Sequence, residues 1–475
     1  MPQVYIHLVS SFAALGGFLL GYDTGAISGT IITPAFLKRF QPVTSLIQGA
    51  IVSSLVAGCF VGSLFSGWIS DFLGRKSSIV IASALVFVGS LVQASSFSLP
   101  VLFAGRFLAG LGTGQLSQVV PLYQAEIAPP DIRGRLVSFY QLAVSVGLTI
   151  SFWISYAFQE ASGELSFRIP LALQAVPALI LGLGCFFLPA SPRWLIEKGE
   201  IEESHKVLAL IWESKTLASS ELIAEFNAIK DSVETQKAHG FSLLFKASNF
   251  RRLTLGVLLL LYQQLTGIGS VTYFAPLLFR QLGIQTVHAS LIAQGITGLV
   301  SVFFSSLSLT FADVWGRKKI LISGAILMTI SMAAVGGILG GVDVSKNDYV
   351  LYVAIGFIYL FVASFSYSWG PVGWIYPAEI FSQKLRSRAL AICISSSWLF
   401  NFAATLLTPL LLRDIGWKLY ILFAVFGVIM SISVMLSFPE TKNRGLDEME
   451  LIFSDQPMTR TSYFSRPSFD SDLNA

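Results

Sequence analysis

The chain has 475 residues, of which 54% are hydrophobic and 12% are charged, and its formal net charge is +4. An ordinary soluble domain carries about 25% charged residues, so this composition excludes a soluble fold of this length and predicts a protein that lies in a lipid bilayer. The small net charge gives no sign of a nucleic-acid partner.

Twelve apolar runs predict twelve transmembrane helices, because a hydrocarbon core of roughly 30 Å needs about 20 apolar residues per helical crossing. In chain order, these spans 1 to 12 are predicted at 8–31, 46–70, 78–96, 100–121, 136–158, 169–188, 252–279, 288–312, 320–341, 350–377, 388–411 and 418–438. Cys59, Cys185 and Cys393 lie inside these runs, so we interpret them as packing residues and predict neither a disulfide nor a metal site.

A polar stretch from Pro189 to Arg251 separates spans 1 to 6 from spans 7 to 12, and its pattern predicts amphipathic helices on one side of the membrane. The predicted organisation is a first six-helix half at 1–188, a linker at 189–251, a second six-helix half at 252–438 and a tail at 439–475. Most of the 31 Lys and Arg residues lie on the side of the linker and the termini. The positive-inside bias therefore predicts that this side is cytoplasmic.

Two motifs occur once in each half, at matching positions. Asp71-Phe-Leu-Gly-Arg-Lys follows span 2, and Asp313-Val-Trp-Gly-Arg-Lys follows span 8. After spans 4 and 10, Tyr123-Gln-Ala-Glu-Ile and Tyr376-Pro-Ala-Glu-Ile each place an Arg seven residues beyond the Glu. Because each half has an even number of crossings, the two copies share one topology and are related by an axis along the membrane normal.

The charged residues of these motifs predict a gating network of ion pairs between helix ends and between the halves. One exposed pair contributes only about 0–1 kcal/mol, but a network formed in one state can bias a two-state equilibrium. Ordinary loop charges remain the alternative interpretation. The predicted network consists of Asp71, Arg75, Glu126, Arg133, Asp313, Arg317, Glu379 and Arg386.

Nine motifs together resemble the sugar porter family of the major facilitator superfamily, over essentially the whole chain. They are Gly21-Tyr-Asp-Thr-Gly-Ala-Ile-Ser-Gly, Gly74-Arg-Lys, Pro121-Leu-Tyr-Gln-Ala-Glu, Arg133-Gly-Arg, Ser191-Pro-Arg-Trp-Leu, Gln263-Gln-Leu-Thr-Gly-Ile, Gly316-Arg-Lys, Gly370-Pro-Val-Gly-Trp and Pro439-Glu-Thr-Lys. The span 1 string is similar to that of fungal monosaccharide transporters. The resemblance implies an all-α membrane protein of the major facilitator fold, in the plasma membrane, that moves a hexose or pentose by alternating access. It implies no cofactor and no catalytic residue.

Span 1 contains one carboxylate, Asp23, and span 4 contains one guanidinium, Arg106. A charge inside the bilayer is costly unless it is paired or faces water, so both residues are predicted to be functional. They lie at similar depth, and protonation of Asp23 would release Arg106, so we interpret them as a proton-coupling pair. The resemblance implies this role in proton symporters of the family. Fungal facilitators share the pair, so symport, facilitated diffusion and a structural ion pair all stay open.

Side chains that both donate and accept hydrogen bonds recognise sugar hydroxyls, and aromatic faces cover the apolar surface of the ring. Spans 5, 7, 10 and 11 carry such groups inside apolar runs, and the resemblance implies that most of these positions contact substrate. Amides that only join helices, and a gating role for Trp374, remain alternatives. The candidate substrate-binding residues are Gln141, Gln263, Gln264, Tyr273, Trp374, Trp398 and Asn401.

Four positions depart from the family pattern. Gly269 and Ser301 stand where sugar porters usually have Asn, Phe274 replaces a Tyr, and Ala190 replaces a Glu. The first two changes leave the solute open among a hexose, a pentose, a polyol and an acidic sugar, and Ala190 removes one partner from the predicted network. A non-transporting sugar sensor is the remaining alternative, for which the tail after span 12 is shorter than we expect. The sequence predicts no oligomeric state.

Overall fold

The protein is described by a computed structural model that covers residues 4–129, 132–211, 220–237, 247–284, 286–342, 348–381, 385–442 and 453. All regular elements in these ranges are helices. Eleven of them are long and apolar enough to cross a membrane. The one predicted span not among these eleven is span 4, Leu99–Ile127, a helix of 29 residues. Its Arg and Gln side chains lower its hydropathy, although it packs between its neighbours like the other spans.

The first half contains spans 1 to 6. Span 1 comprises two helices, and a short helix, Pro34–Arg39, follows it. The bounds of spans 1 to 6 are Val4–Ala13 with Leu15–Thr30, Ser45–Leu73, Arg75–Ala94, Leu99–Ile127, Arg133–Phe158, and Leu165–Leu173 with Ala175–Gly184.

The second half contains spans 7 to 12, and a short helix, Ala275–Gln281, follows span 7. The bounds of spans 7 to 12 are Ala247–Leu265 with Ile268–Tyr273, Val287–Trp315, Arg317–Gly341, Asp348–Tyr367 with Trp369–Ile380, Arg386–Asp414, and Lys418–Ser437. Between the halves, the linker forms the helices Pro192–Lys198, Ile201–Ile211 and Ser220–Lys237. We call the end of the bundle that carries these helices the linker face, and the opposite end the distal face.

Glycines end spans 2 and 8 at the linker face, in the same way in both halves. Span 2 continues beyond its apolar run to Leu73, and span 8 continues to Trp315. The next residues, Gly74 and Gly316, have φ values of +89° and +90°. Side chains rarely adopt this conformation, so glycine permits the sharp turn into the next span.

Spans 7 and 10 are interrupted beside the centre of the molecule. Span 7 breaks at Gly267, which has a φ of +86°, and span 10 breaks at Ser368. Interrupted helices at membrane depth are tolerated where they line a cavity or are buried in protein. The breaks place side chains of both spans toward the interface between the halves.

The halves meet along two pairs of long helices. Span 2 packs against span 11, and span 5 packs against span 8. Spans 1, 4, 7 and 10 complete the centre between these pairs, where span 1 contacts span 7 and span 5 contacts span 10. The interface therefore surrounds a central space that both halves line.

Candidate functional site

A cavity of about 140 Å³ lies between the two halves. Its lining comes from spans 1 and 5 of the first half and from spans 7, 8, 10 and 11 of the second half. One buried water needs about 10–15 Å³ of such space, so the cavity has room for several waters or for a small polar solute.

All seven candidate substrate-binding residues line this one cavity, although the sequence separates the first from the last by most of the chain. Between them they carry amide, phenol and indole groups. These residues are Gln141, Gln263, Gln264, Tyr273, Trp374, Trp398 and Asn401. Their shared position makes them available to one solute, and their role as substrate contacts stays a prediction.

Two adjacent amides of span 7 are each held by one hydrogen bond. Gln263 donates from Nε2 to the carbonyl oxygen of Trp369 over 2.9 Å, and Gln264 donates from Nε2 to Ser397 Oγ over 3.0 Å. An amide has two N–H groups and one oxygen acceptor. Each side chain is thus fixed in orientation and keeps donor and acceptor capacity for a solute.

Two tryptophans join the halves on the linker-face side of the cavity. Trp374 Nε1 donates to Gln141 Oε1 over 3.0 Å, and Trp398 Nε1 donates to Ser117 Oγ over 3.0 Å. The ring of Tyr140 also packs edge-on against Trp374, with centroids 5.2 Å apart. Since Trp374 lies six residues before the linker-face end of span 10, about 9 Å away, this contact lies between the cavity and that face.

A chain of four serine hydroxyls crosses from one half to the other beside the cavity. Ser366 donates to Ser301 over 3.1 Å, Ser301 donates to Ser145 over 3.0 Å, and Ser145 and Ser305 are 2.9 Å apart. Ser301 was singled out in the sequence because sugar porters usually have Asn there. The other three serines of the chain were missed, because many serines occur in the apolar runs and none of them has a distinguishing pattern.

Asp23 and Arg106 form an ion pair that is fully buried. Arg106 Nη2 lies 3.3 Å from Asp23 Oδ2, and both side chains have 0% exposure. Arg106 also donates from Nε to the carbonyl oxygen of Ile51 over 2.7 Å and from Nη1 to Gln93 Oε1 over 3.4 Å. The second oxygen of Asp23, Oδ1, has no hydrogen-bond partner among the described residues. The structure thus brings the predicted pair together, and its role in proton coupling stays a prediction.

Two amides that the sequence analysis missed extend this ion pair. Gln93 of span 3 accepts from Arg106 and donates from Nε2 to Gln174 Oε1 of span 6 over 2.8 Å. Both residues are buried polar side chains inside apolar runs, which is the signal that identified Asp23 and Arg106. Thr24, the residue after Asp23, lines the cavity, so the ion pair is one residue away from the solute space.

Comparison with known proteins places this architecture in one family. The family model described as "Sugar (and other) transporter" matches residues 9–453. The chain belongs to this sugar transporter family. The high-affinity glucose transporter of Kluyveromyces lactis is 34% identical over 98% of this chain and 88% of that protein. The high glucose sensor RGT2 of Saccharomyces cerevisiae is 34% identical over 95% of this chain and 61% of that protein.

The helices of this chain are arranged as in a solved structure of a sugar transporter. It is the proton:xylose symporter XylE of E. coli bound to 6-bromo-6-deoxy-D-glucose, and it matches with a TM-score of 0.82 and 29% sequence identity. The match covers 95% of this chain and 99% of that chain. The predicted fold of twelve spans in two six-helix halves with a helical linker is therefore confirmed. The prediction that the chain is a multi-pass membrane protein is confirmed as well.

The described ion pairs of the predicted gating network join helix ends within each half. In the first half, Arg75 lies 2.8 Å from Glu126 and 3.4 Å from Asp71. In the second half, Arg317 lies 2.8 Å from Glu379. Across the halves, Arg388 of span 11 interacts electrostatically with Asp71. The side chains of three predicted members lie outside the described residues: Arg133, Asp313 and Arg386.

The repeated motifs make equivalent hydrogen bonds in the two halves. Tyr123 donates to the carbonyl oxygen of Pro189, and Tyr376 donates to that of Pro439. The hydroxyls of Ser191 and Thr441, two residues beyond these prolines, donate to the motif carboxylates at the ends of spans 4 and 10. The internal duplication therefore extends from the sequence to individual contacts.

One residue breaks this equivalence. In the second half, Glu440 caps span 9, accepting from the backbone N–H of Arg317 over 2.9 Å and from that of Lys318 over 3.1 Å. The equivalent position in the first half is Ala190, which follows Pro189 as Glu440 follows Pro439. A carboxylate at the first turn of a helix satisfies free N–H groups and interacts favourably with the helix dipole.

We expect opposite stability changes from exchanging these two residues. Glu440→Ala should reduce the free energy of unfolding by about 1–2 kcal/mol because the first turn of span 9 loses its cap. Ala190→Glu should increase it, because span 3 gains the equivalent cap. Thermal unfolding of the purified protein in detergent measures both, with Glu160→Ala, an exposed carboxylate in the turn after span 5, as a control for the loss of one carboxylate. Equal melting temperatures for Glu440→Ala and the wild type would contradict the capping role.

A second prediction concerns Gly269, where sugar porters usually have Asn. A β-carbon on Gly269 would lie 3.8 Å from Asn401 Oδ1 and 3.9 Å from Thr405 Cγ2, which are ordinary contact distances. Asn401 Oδ1 has no partner in the described part of the chain. Gly269→Asn should therefore fit and add an amide to the cavity, which can pair with the additional hydroxyl of a hexose and lower the half-saturation concentration for a hexose about threefold or more relative to a pentose.

Competitive uptake of D-glucose and D-xylose by the variant and the wild type tests this change in preference. Gly269→Ala is the matched control, because it fills the same space without an amide. If Gly269→Ala changes the preference as much as Gly269→Asn does, the amide is not the cause.

Proposed function

We propose that this protein is a secondary transporter that moves a neutral monosaccharide, a hexose or a pentose, by alternating access. The observation that supports this most strongly is the chemistry of the central cavity. Its lining contains amides, hydroxyls and indole rings, and among the described residues it contains no Asp, Glu, Lys, Arg or His. Such groups match the hydroxyls and the apolar ring face of a sugar.

The described lining of the central cavity has no charged side chain, and this favours a neutral sugar over an acidic one. An acidic sugar or another organic acid brings a carboxylate, and burying an unpaired charge is costly. The buried cation beside span 1, Arg106, already faces Asp23. A polyol has the hydroxyls of a sugar but no closed ring to lie against Trp374 and Trp398, so it satisfies the lining less completely.

We propose that Asp23 and Arg106 couple proton movement to sugar movement. The ionised pair ties span 1 to span 4, and protonation of Asp23 would weaken that tie. Thr24, next to Asp23, lines the cavity, so a change in span 1 reaches the solute directly. The named activity of XylE, proton:xylose symport, supports this proposal.

We also propose the arrangement of the chain in the membrane. The halves at 1–188 and 252–438 rock about the central cavity, and the linker at 189–251 and the tail at 439–475 lie in the cytoplasm with both termini. The linker face is then the cytoplasmic face of a plasma-membrane protein, and the interaction of Arg388 with Asp71 across the halves stabilises the state that is closed there.

Uptake into proteoliposomes containing the purified protein tests this function. Labelled D-glucose should enter in a saturable way, unlabelled D-xylose and other neutral monosaccharides should compete, and glucuronate should not. A pH-sensitive dye inside the vesicles should report proton entry with the sugar. Failure of every neutral monosaccharide to enter would reject the proposal, while sugar entry without proton movement would reject symport alone.

A sugar sensor is the second candidate, because a relative with 34% identity carries that name. A sensor would use the same cavity to bind sugar without moving it across the membrane. The same uptake experiment separates the two, since a sensor would bind labelled D-glucose and the vesicles would not accumulate it.

A further inference from the structure

A second, smaller cavity of about 30 Å³ lies next to the central cavity. Leu260, Trp374 and Ile394 line both cavities, so these three side chains separate the two spaces. The small cavity is also lined by Pro377 and Leu390, which lie three and four residues from the linker-face ends of spans 10 and 11. The small cavity therefore lies between the central cavity and the linker face.

One polar side chain, Gln118 of span 4, lines this otherwise apolar space. Its exposure is 3%, and neither Nε2 nor Oε1 has a hydrogen-bond partner among the residues that the structure describes. Nearly all buried amides in proteins are paired, because an unpaired one costs free energy. The space is enough for about two waters, so the unpaired Gln118 borders a space that small polar molecules can fill.

Other amides of the same helix have a structural role that Gln118 lacks. Gln115 donates to the carbonyl oxygen of Ser78 over 3.2 Å, and Gln124 donates to that of Ser10 over 3.0 Å. Both bonds lie within the first half. Gln118 instead faces a space whose walls come from both halves: spans 4 and 5 on one side and spans 7, 10 and 11 on the other.

We propose that Gln118 forms a second sugar subsite, which the solute occupies between the central cavity and the linker face. This inference rests on the proposed function. Separation of the halves at the linker face widens the small cavity, which in the present state is too small for a monosaccharide. The Gln118 amide then supplies donors and an acceptor to sugar hydroxyls. Trp374, which borders both cavities, presents an apolar ring to the sugar on either side.

Transport measured separately from each face tests the subsite. Labelled D-glucose is presented to the linker face or to the distal face, in membrane vesicles of the two orientations. Gln118→Met should raise the half-saturation concentration at the linker face about three- to tenfold, the effect of one lost hydrogen bond, and change it less than twofold at the distal face. Gln118→Leu should behave in the same way.

The matched control is Gln115→Met, which removes a paired amide from the same helix. Its melting temperature should fall, whereas Gln118→Met should not lower it, because Gln118 loses no bond within the protein. Equal effects of Gln118→Met at both faces would overturn the subsite in favour of a structural role, and no effect at either face would show that the space holds only water. A wild-type protein that moves no neutral monosaccharide would instead reject the proposed function.

Discussion

Replacing Asp23 with Asn should abolish uphill accumulation of sugar while leaving exchange of sugar across the membrane intact. Asn has the shape of Asp but takes up no proton at neutral pH, so the variant cannot alternate between an ionised and a protonated state at this position. Asp23 and Arg106 are fully buried, and removing one partner of a buried pair typically costs about 3–5 kcal/mol. The melting temperature should therefore fall as well.

Accumulation driven by an imposed proton gradient, and exchange without a gradient, measure the two activities in the same proteoliposomes. Asp414→Asn is the matched control, because its carboxylate pairs with Arg413 over 2.7 Å but is 56% exposed. The control should accumulate sugar like the wild type. If Asp23→Asn still accumulates sugar against a gradient, coupling through Asp23 is wrong.

Replacing Gln263 with Leu should weaken sugar transport about ten- to a hundredfold in half-saturation concentration, because a sugar hydroxyl loses its partner in a buried site. Gln263 is 6% exposed, and its bond to the Trp369 carbonyl fixes the amide where span 10 is interrupted. The same variant should leave exchange measurable at high sugar concentration, since the rest of the lining is unchanged.

Gln281→Leu is the matched control for this variant. Gln281 is an amide of the short helix after span 7, bonded to the Leu412 carbonyl over 3.4 Å, and it is not part of the cavity lining. Initial rates of D-glucose uptake over a range of concentrations measure both variants. If Gln281→Leu raises the half-saturation concentration to a similar extent, the effect comes from a less stable span 7 and its following helix, and not from sugar binding.

The spans and the main cavity residues could be predicted, because each depends on a local property of the sequence. Apolar length identifies a span, and a polar side chain inside an apolar run identifies a site candidate. The helix ends were less accurate, since spans 2 and 8 continue through polar motif residues to Gly74 and Gly316. The breaks at Gly267 and Ser368 were not predicted, because the apolar runs of spans 7 and 10 continue through both residues.

Contacts that depend on helix rotation could not be predicted. The serine chain of Ser145, Ser301, Ser305 and Ser366 forms only because packing of spans 5, 8 and 10 turns these hydroxyls toward one another. Gln93 carries the same signal as Arg106, a polar side chain in an apolar run, but only packing shows that these two side chains meet. The sequence predicted ion pairs between helix ends and between the halves; the described pairs of Arg75 and Arg317 join helix ends within a half, and Arg388 interacts with Asp71 across the halves.

Counterflow most directly tests whether the central cavity carries a neutral sugar by alternating access. Proteoliposomes are loaded with unlabelled D-glucose and diluted into a trace of labelled D-glucose, with no proton gradient. If one sugar site opens alternately to each face, unlabelled sugar leaving the vesicles should drive transient accumulation of labelled sugar inside them. Gln263→Leu should strongly reduce this accumulation. Absence of counterflow with every neutral monosaccharide, or counterflow that only glucuronate supports, would contradict sugar transport through this cavity.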